Sequence, residues 1–279
     1  MRVLVRRSDN RLKTLALAGC LAGSLALPLA AEAPKRVVSM NLCTDQLAMM
    51  LTAPGQLISI SRIARDPVSS AMAQEAADYP VNSGRAEEIF ALGPDLVVGG
   101  VYTDPFAVQM LRDLGVEVEQ FPIVSQLEDI PEVVRKMGAL LGREATAEIL
   151  ALDVEARLAD VVVSAEDAPQ AAFFFANGYS LGAGTLSHDI ISTAGFENLA
   201  ETLGRSGGGR LSLEELLMNR PDVLVSGTPY PATSRSEEIM AHPALDGIPR
   251  VLSGPEWVCG TPIALRALDQ MKALREDLR

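Results

Sequence analysis

Few residues in this chain have the type and spacing to do chemistry. Gly178-Tyr179-Ser180-Leu181-Gly182 matches the G-x-S-x-G elbow, in which a strand hands a nucleophilic serine to the start of a helix. Asp222 and His242 follow Ser180 in the order Ser, Asp, His that such a secreted serine hydrolase uses. Against that reading, Gly182-Ala183-Gly184 delays the helix that should begin at once after the serine. Free metal ions are poorly provided for. A zinc or manganese site needs several converging imidazoles and carboxylates, and His188 and His242 are the only histidines, at no paired spacing. A third pattern is acidic: Glu87-Glu88 and Glu214-Glu215 each open a short helical stretch. Ser212 and Glu215 fit a capping box, which occupies Glu215 and leaves Glu214 to point outward. An acid in a helix's first turn also gains about 0.3–1 kcal/mol from the helix dipole, so a purely structural role is open to both Glu87 and Glu214.

These acids belong to a phrase that the chain states twice. Residues 87–100 read EEIFALGPDLVVGG and residues 214–227 read EELLMNRPDVLVSG, six identities in fourteen at an offset of 127. Each copy reads as a short helix, a Pro-Asp break and a buried strand that ends in Gly. A repeat of half the chain predicts two similar lobes. Around the first copy, strands predicted at 35–40, 56–61, 95–98 and 116–121 alternate with helices at 46–51 and 103–114. Polar turns are expected at 41–45 and 62–66. Around the second copy, strands at 170–176, 222–226 and 249–253 alternate with helices at 186–194 and 261–278, with Gly-rich turns at 177–185 and 204–210. This alternation predicts an α/β fold with a parallel sheet in each lobe. Between the lobes lie two helical stretches, 127–141 and 143–163. In the second, Ile149, Leu150, Val154, Leu158, Val161 and Val162 form an apolar stripe at three- and four-residue steps. A helix of that length spans roughly 30 Å, enough to tie two lobes together as one long rod. The expected division is an N-terminal lobe over 34–125, a helical connector over 126–168 and a C-terminal lobe over 169–279.

Residues 1–33 stand apart from the fold. Arg2, Arg6, Arg7, Arg11 and Lys13 precede an apolar run and the small-residue stretch Ala30-Ala31-Glu32-Ala33, the layout of a secretory signal peptide. Leu17-Ala18-Gly19-Cys20 also resembles a lipoprotein box, with Cys20 as anchor, although only a short apolar run precedes it. Without residues 1–33 the chain keeps 19 basic and 34 acidic residues. Such a surface repels nucleic acid and anionic lipid. The expectation is a monomer in an oxidising compartment.

The opening RVVSMNLCTDQLAMML, the two Glu-led repeats ending in PDLVV and PDVLV, the single long connecting helix and the late EWVCGTP together resemble periplasmic binding proteins of ABC importers, of the cobalamin and ferric-siderophore type. The resemblance covers essentially the whole chain beyond the leader. It implies a periplasmic carrier with no catalysis and no resident cofactor, which binds a metal chelate between its lobes. It further implies that Glu87 and Glu214 meet arginines on the membrane permease, and that Trp257 sits in a cleft loop. Placing the ligand at the carboxyl ends of the strands makes Arg62, Arg85 and Arg205 candidates to neutralise an anionic chelate. Tyr102, Tyr179, Tyr230 and Trp257 become candidates to stack on a planar or bulky one. Haem is a further possible cargo, through a Tyr or Cys ligand. Cys43 and Cys259 fall on turns assigned to the cleft, one per lobe. Three fates are open to them: a disulfide, thiols that touch the ligand, or unconnected buried cysteines.

Overall fold

The computed structural model describes residues 32–161, 167–228 and 235–278; the leader with Cys20, as well as Val162 and Tyr230, lie outside the described residues. The first lobe runs β1 (Val37–Ser39), α1 (Leu42–Leu51), β2 (Leu57–Ser61), β3 (Val81–Asn82), α2 (Ala86–Ala91), β4 (Leu96–Gly100), α3 (Pro105–Asp113) and β5 (Glu117–Phe121). Two helices follow, α4 (Ile130–Leu141) and α5 (Glu144–Ala159). The second lobe begins with β6 (Gln170–Phe173), β7 (Tyr179–Leu181), α6 (Leu186–Thr193), β8 (Glu197–Asn198), α7 (Leu199–Thr202) and β9 (Gly208–Arg210). It ends with α8 (Leu213–Asn219), β10 (Val223–Gly227), α9 (Arg235–Glu238), β11 (Arg250–Ser253) and α10 (Ala264–Asp277).

The strands form two separate parallel sheets, in the orders β3-β2-β1-β4-β5 and β11-β10-β6-β8, and a small antiparallel ribbon of β7 and β9. The period of two along each strand sorts its side chains to opposite faces. Val37, Leu96 and Val98 point to one cluster and Val38 and Val97 to another; Phe173, Val223 and Val225 are divided in the same way from Phe174 and Leu224. The inward sets of both sheets share one core with α1, α4, α5, α6 and α10, while each outward set packs beneath its own lobe's helices. Strands covered on both faces need the near-continuous apolar runs seen here.

The repeated phrase occupies equivalent places, α2–β4 and α8–β10. Its Pro-Asp has a specific task. The Asp95 carboxylate accepts from the N–H groups of Lys35 and Arg36 at 2.8 and 3.0 Å, and Asp222 accepts from Gln170 N–H at 2.7 Å. Each aspartate thus fastens the start of the neighbouring strand, β1 or β6, to its own.

Several local expectations need correction. Residues 41–45 are not a turn: Asn41 accepts from Cys43 N–H at 2.9 Å and caps α1, which starts at Leu42. The two Gly-rich turns contain β7 and β9, which pair with Ser180 opposite Gly209. The connector is a hairpin whose second helix has 16 residues, about 24 Å. Its buried face is Ala147, Ala151 and Val154, whereas Ile149 is 72 % exposed. The reason is closeness: a Cβ placed on Gly138 of α4 would lie 2.2 Å from Ala147 Cβ, so the helices meet through small residues.

Candidate functional site

In the first sheet the strand order reverses between β1 and β4, so the loops that leave their carboxyl ends diverge and open a crevice. The crevice continues into a cleft of about 940 Å³ between the two sheets. Its first wall carries Tyr102 after β4 and Ile123, Val124 and Ser125 after β5; its second carries Phe175, Tyr179, Leu181, Thr228, Ser253 and Trp257. This is the upper end of the ~300–1,000 Å³ range of small-molecule sites. Among the described residues that line it, none is charged. The surface is aromatic, aliphatic and hydroxyl-bearing.

An aromatic series runs from the core into this space. Trp257 meets Phe173 edge-on at 6.0 Å, Phe173 stacks on Phe175 at 6.1 Å, and Phe175 lies 6.4 Å from Tyr179. Trp257 is only 5 % exposed and its indole N–H donates to Gln270 at 3.3 Å, so it forms the back of the wall. Among the described residues that line it, Tyr102 at 84 % and Tyr179 at 46 % exposure are the aromatic side chains most open to an incoming ligand, one on each lobe.

The structure does not bring Arg62, Arg85 and Arg205 into the cleft. Arg62 borders a separate hollow with Ser61 and Asn82, and Arg85 lies in a surface groove with Glu87. Arg205 donates to the Glu215 carboxylate and to the Arg210 carbonyl. Sequence reasoning missed Ile123, Val124, Ser125 and Phe175. The rule that ligands sit beyond the carboxyl ends of parallel strands reaches all four, since they follow β5 and β6.

The floor of the cleft ties the lobes together. Cys43 and Cys259 form a disulfide with Cα atoms 5.2 Å apart, which removes the free-thiol reading of both. Beside it, Thr261 Oγ1 donates to Gln46 Oε1 at 3.0 Å. A third tie lies at the connector, where Asp189 accepts from Leu127 N–H at 2.6 Å. Burial raises the Asp189 carboxyl above the usual carboxylate range despite that bond.

The paired acids divide their labour alike in both lobes. Glu88 accepts from the N–H of Ser83 at 3.0 Å and from its hydroxyl, and these bonds hold its carboxyl below the ordinary value, aided by Arg62 and Arg85. Glu215 completes the capping box with Ser212, its carboxylate accepting from Ser212 N–H at 2.9 Å, and its carboxyl is lowered likewise. Glu87 and Glu214 are exposed and form no ion pair among the described residues. Each stands near a prominent apolar side chain: Phe106, 84 % exposed, shares Glu87's groove, and Met218, 83 % exposed, follows Glu214 by one helical turn.

The hydrolase constellation is not assembled. Ser180 lies inside the ribbon with its Oγ buried and without a hydrogen-bond partner. Asp222 is bound to Gln170, and His242 Nδ1 accepts from Ala244 N–H at 3.1 Å. Among the described residues no three His, Cys, Asp or Glu side chains converge as a metal-ion site.

Residues 37–254 match the profile of a periplasmic binding protein family. No curated protein matches the sequence. Among solved structures, a periplasmic haem-binding protein of Vibrio cholerae is similar at 20 % identity and a TM-score of 0.72, covering 86 % of this chain and 98 % of its own. A periplasmic vitamin B12-binding protein of the same organism is similar at 19 % identity and a TM-score of 0.64, covering 86 % and 96 %. An ABC-type Fe3+-hydroxamate transport system of Saccharomonospora viridis is similar at 19 % identity and a TM-score of 0.63, covering 86 % and 93 %. These likenesses concern the fold.

Proposed function

This chain belongs to the periplasmic binding protein family, and from that premise we propose that it captures a bulky metal chelate between its lobes and delivers it to an ABC importer's permease. The observation that carries the proposal is the cleft: about 940 Å³, shared by both lobes, with no charge among its described lining residues. A bare cation or a highly charged chelate would lose its hydration there without a counter-charge, at a cost of several kcal/mol or more. A chelate that brings its own coordination shell and little net charge, such as a ferric hydroxamate or a corrinoid, loses far less. The protein then supplies apolar area and a few hydroxyls that orient the cargo. The basic-then-apolar leader and the disulfide both support export to an oxidising compartment.

Delivery rests on Glu87 and Glu214. The duplication puts one unpaired carboxylate on each lobe while its neighbour, Glu88 or Glu215, serves the helix end. Two separated charges fix an orientation that one cannot, and steer encounter with a basic surface.

Haem is a second reading, favoured by Tyr102 and Tyr179. A phenolate can hold ferric haem iron, and the disulfide has removed Cys43 and Cys259 as rival ligands. Titration of Trp257 fluorescence with ferrioxamine, cyanocobalamin and haemin separates these cases, because the sole tryptophan lines the cleft wall. Saturable quenching by the first or second supports the main reading. Quenching by haemin alone, with a shifted Soret band lost in Tyr102→Phe or Tyr179→Phe, supports haem. Quenching by none of the three removes the chelate-carrier reading.

A further inference from the structure

Next to the cleft lies a second cavity, of about 260 Å³. Tyr102, Ile123, Val124 and Val258 border both spaces and so frame a doorway between them. The chamber is built by both lobes and the connector: Leu47 and Val101 come from the first lobe, Val133 from α4 and Gly260 from the second lobe, with Cys43 of the disulfide in its wall. No described residue that lines it is charged. Two of its polar side-chain groups, Asn41 Oδ1 and Thr44 Oγ1, are already occupied. Asn41 Oδ1 accepts from Cys43 N–H at 2.9 Å, and Thr44 Oγ1 donates to the Asn41 carbonyl at 3.0 Å and shares a bond with Ser39 Oγ at 2.8 Å. A space of this kind offers water few partners, and an apolar cavity of ~150 Å³ already holds a benzene ring. The disulfide and the Thr261–Gln46 bond fix the two sides, so the chamber exists before a ligand arrives.

We propose that this chamber is a subsite for an uncharged aromatic or branched aliphatic arm of the chelate whose metal centre occupies the cleft. The inference rests on the chelate-carrier reading and narrows it. The cargo carries at least one apolar substituent about as large as a phenyl group. An arm that ends in a carboxylate is rejected, since the chamber has no cation to receive it.

The test is equilibrium dialysis against the ferric complexes of acetohydroxamate, benzohydroxamate and 4-carboxybenzohydroxamate, which differ only in the arm. Burial of a phenyl group in place of a methyl should make the benzohydroxamate complex bind about tenfold tighter or more. The carboxylated complex should fall back to the methyl level. Val101 is half exposed at the rim and borders the chamber but not the cleft, so Val101→Trp fills the chamber with little demand on the core. It should erase the preference for the phenyl arm, and Val101→Phe should reduce it. Equal affinity of the methyl and phenyl complexes, or a preference that survives in a folded Val101→Trp protein, would overturn the subsite. Binding of none of the three overturns it too, while the carrier reading is then decided by the separate titration with cyanocobalamin and haemin.

Discussion

Asp45 is a carboxylate in a place that disfavours its charge. It is fully buried in α1 and anchors that helix to β2 by accepting from Ser61 N–H at 3.0 Å and from the Ser61 hydroxyl. Burial nevertheless outweighs those bonds and the one from the Ser39 side chain, and pushes the carboxyl from 3.8 up to about 6. The folded state therefore holds the proton more tightly than the unfolded chain. The stability this gives is complete below about pH 3.8 and is lost as pH rises through about 6. Between pH 7 and pH 5 the protein should accordingly gain about 1 kcal/mol relative to an Asp45→Asn variant, measured by urea unfolding at both values. A gap that stays constant with pH would mean that Asp45 keeps one protonation state throughout. Glu87 and Glu214 are the opposite case, exposed and unpaired. Reversing both to Lys should leave chelate affinity within about twofold, as distant surface charges do, and abolish uptake by cells that depend on this carrier. Loss of affinity would instead move the acids into the ligand site. The two cases also mark what single residues reveal in a sequence. The Ser212–Glu215 box was legible because both partners lie within one turn. The burial of Asp45 and the capture of Arg205 by Glu215 were not, because tertiary packing decides them.

Elements were legible where a local rule and a long-range one agreed. The repeated phrase identified α2–β4 and α8–β10, and its identities now have physical reasons. The second Glu serves the helix end, the Asp fastens a neighbouring strand and the Val is core. The final Gly of the first copy lets a side chain approach closely, since a Cβ on Gly100 would meet Asn41 at 3.2 Å; at Gly227 a Cβ would make only an ordinary contact with Phe175 at 3.4 Å. Reading failed where packing prefers small residues. Gly208 and Gly209 read as turn, yet they lie in β9, where Gly208 leaves room for the Tyr179 ring and hydroxyl to lie across the strand. The α4–α5 hairpin hid its contact face for the same reason, because hydropathy favours Ile149 over Ala147. A substitution there sets two effects against each other. Gly138→Ala adds about 1 kcal/mol of helix propensity. It also drives two carbons fixed to their backbones to 2.2 Å, which no rotamer relieves. Overpacking of that kind costs about 1–3 kcal/mol. A net loss of about 1 kcal/mol in urea unfolding is expected. A gain would show that the helices separate without penalty.

For the whole molecule the question is how far the lobes can move. A Gly/Ser linker would permit large swings, whereas these lobes are tied by a helical hairpin, a shared core and bonds at the cleft floor. The sequence left the fate of the cysteines open because 216 residues separate them and no local rule spans that distance. The same separation makes their bond a strong constraint on the unfolded chain. On the loop-entropy account it contributes up to about 5 kcal/mol, less whatever the native state gives up in holding it. Reduction, or Cys43→Ser with Cys259→Ser, should therefore lower unfolding stability by about 3–5 kcal/mol. It should also loosen the floor, because among the described residues the Thr261–Gln46 bond and side-chain packing are what then hold the lobes there. Ketone-linked spin labels at Asp113 on α3 and Asn219 at the end of α8 would report the distance between lobes. In the oxidised protein the distance should be narrowly distributed and change little when chelate binds. After reduction the distribution should broaden in the empty protein and narrow again on binding, with affinity reduced by the ordering that the disulfide had already supplied. A broad distribution in the oxidised protein would show that the disulfide is not what limits closure, and the lobes would then have to be treated as hinged.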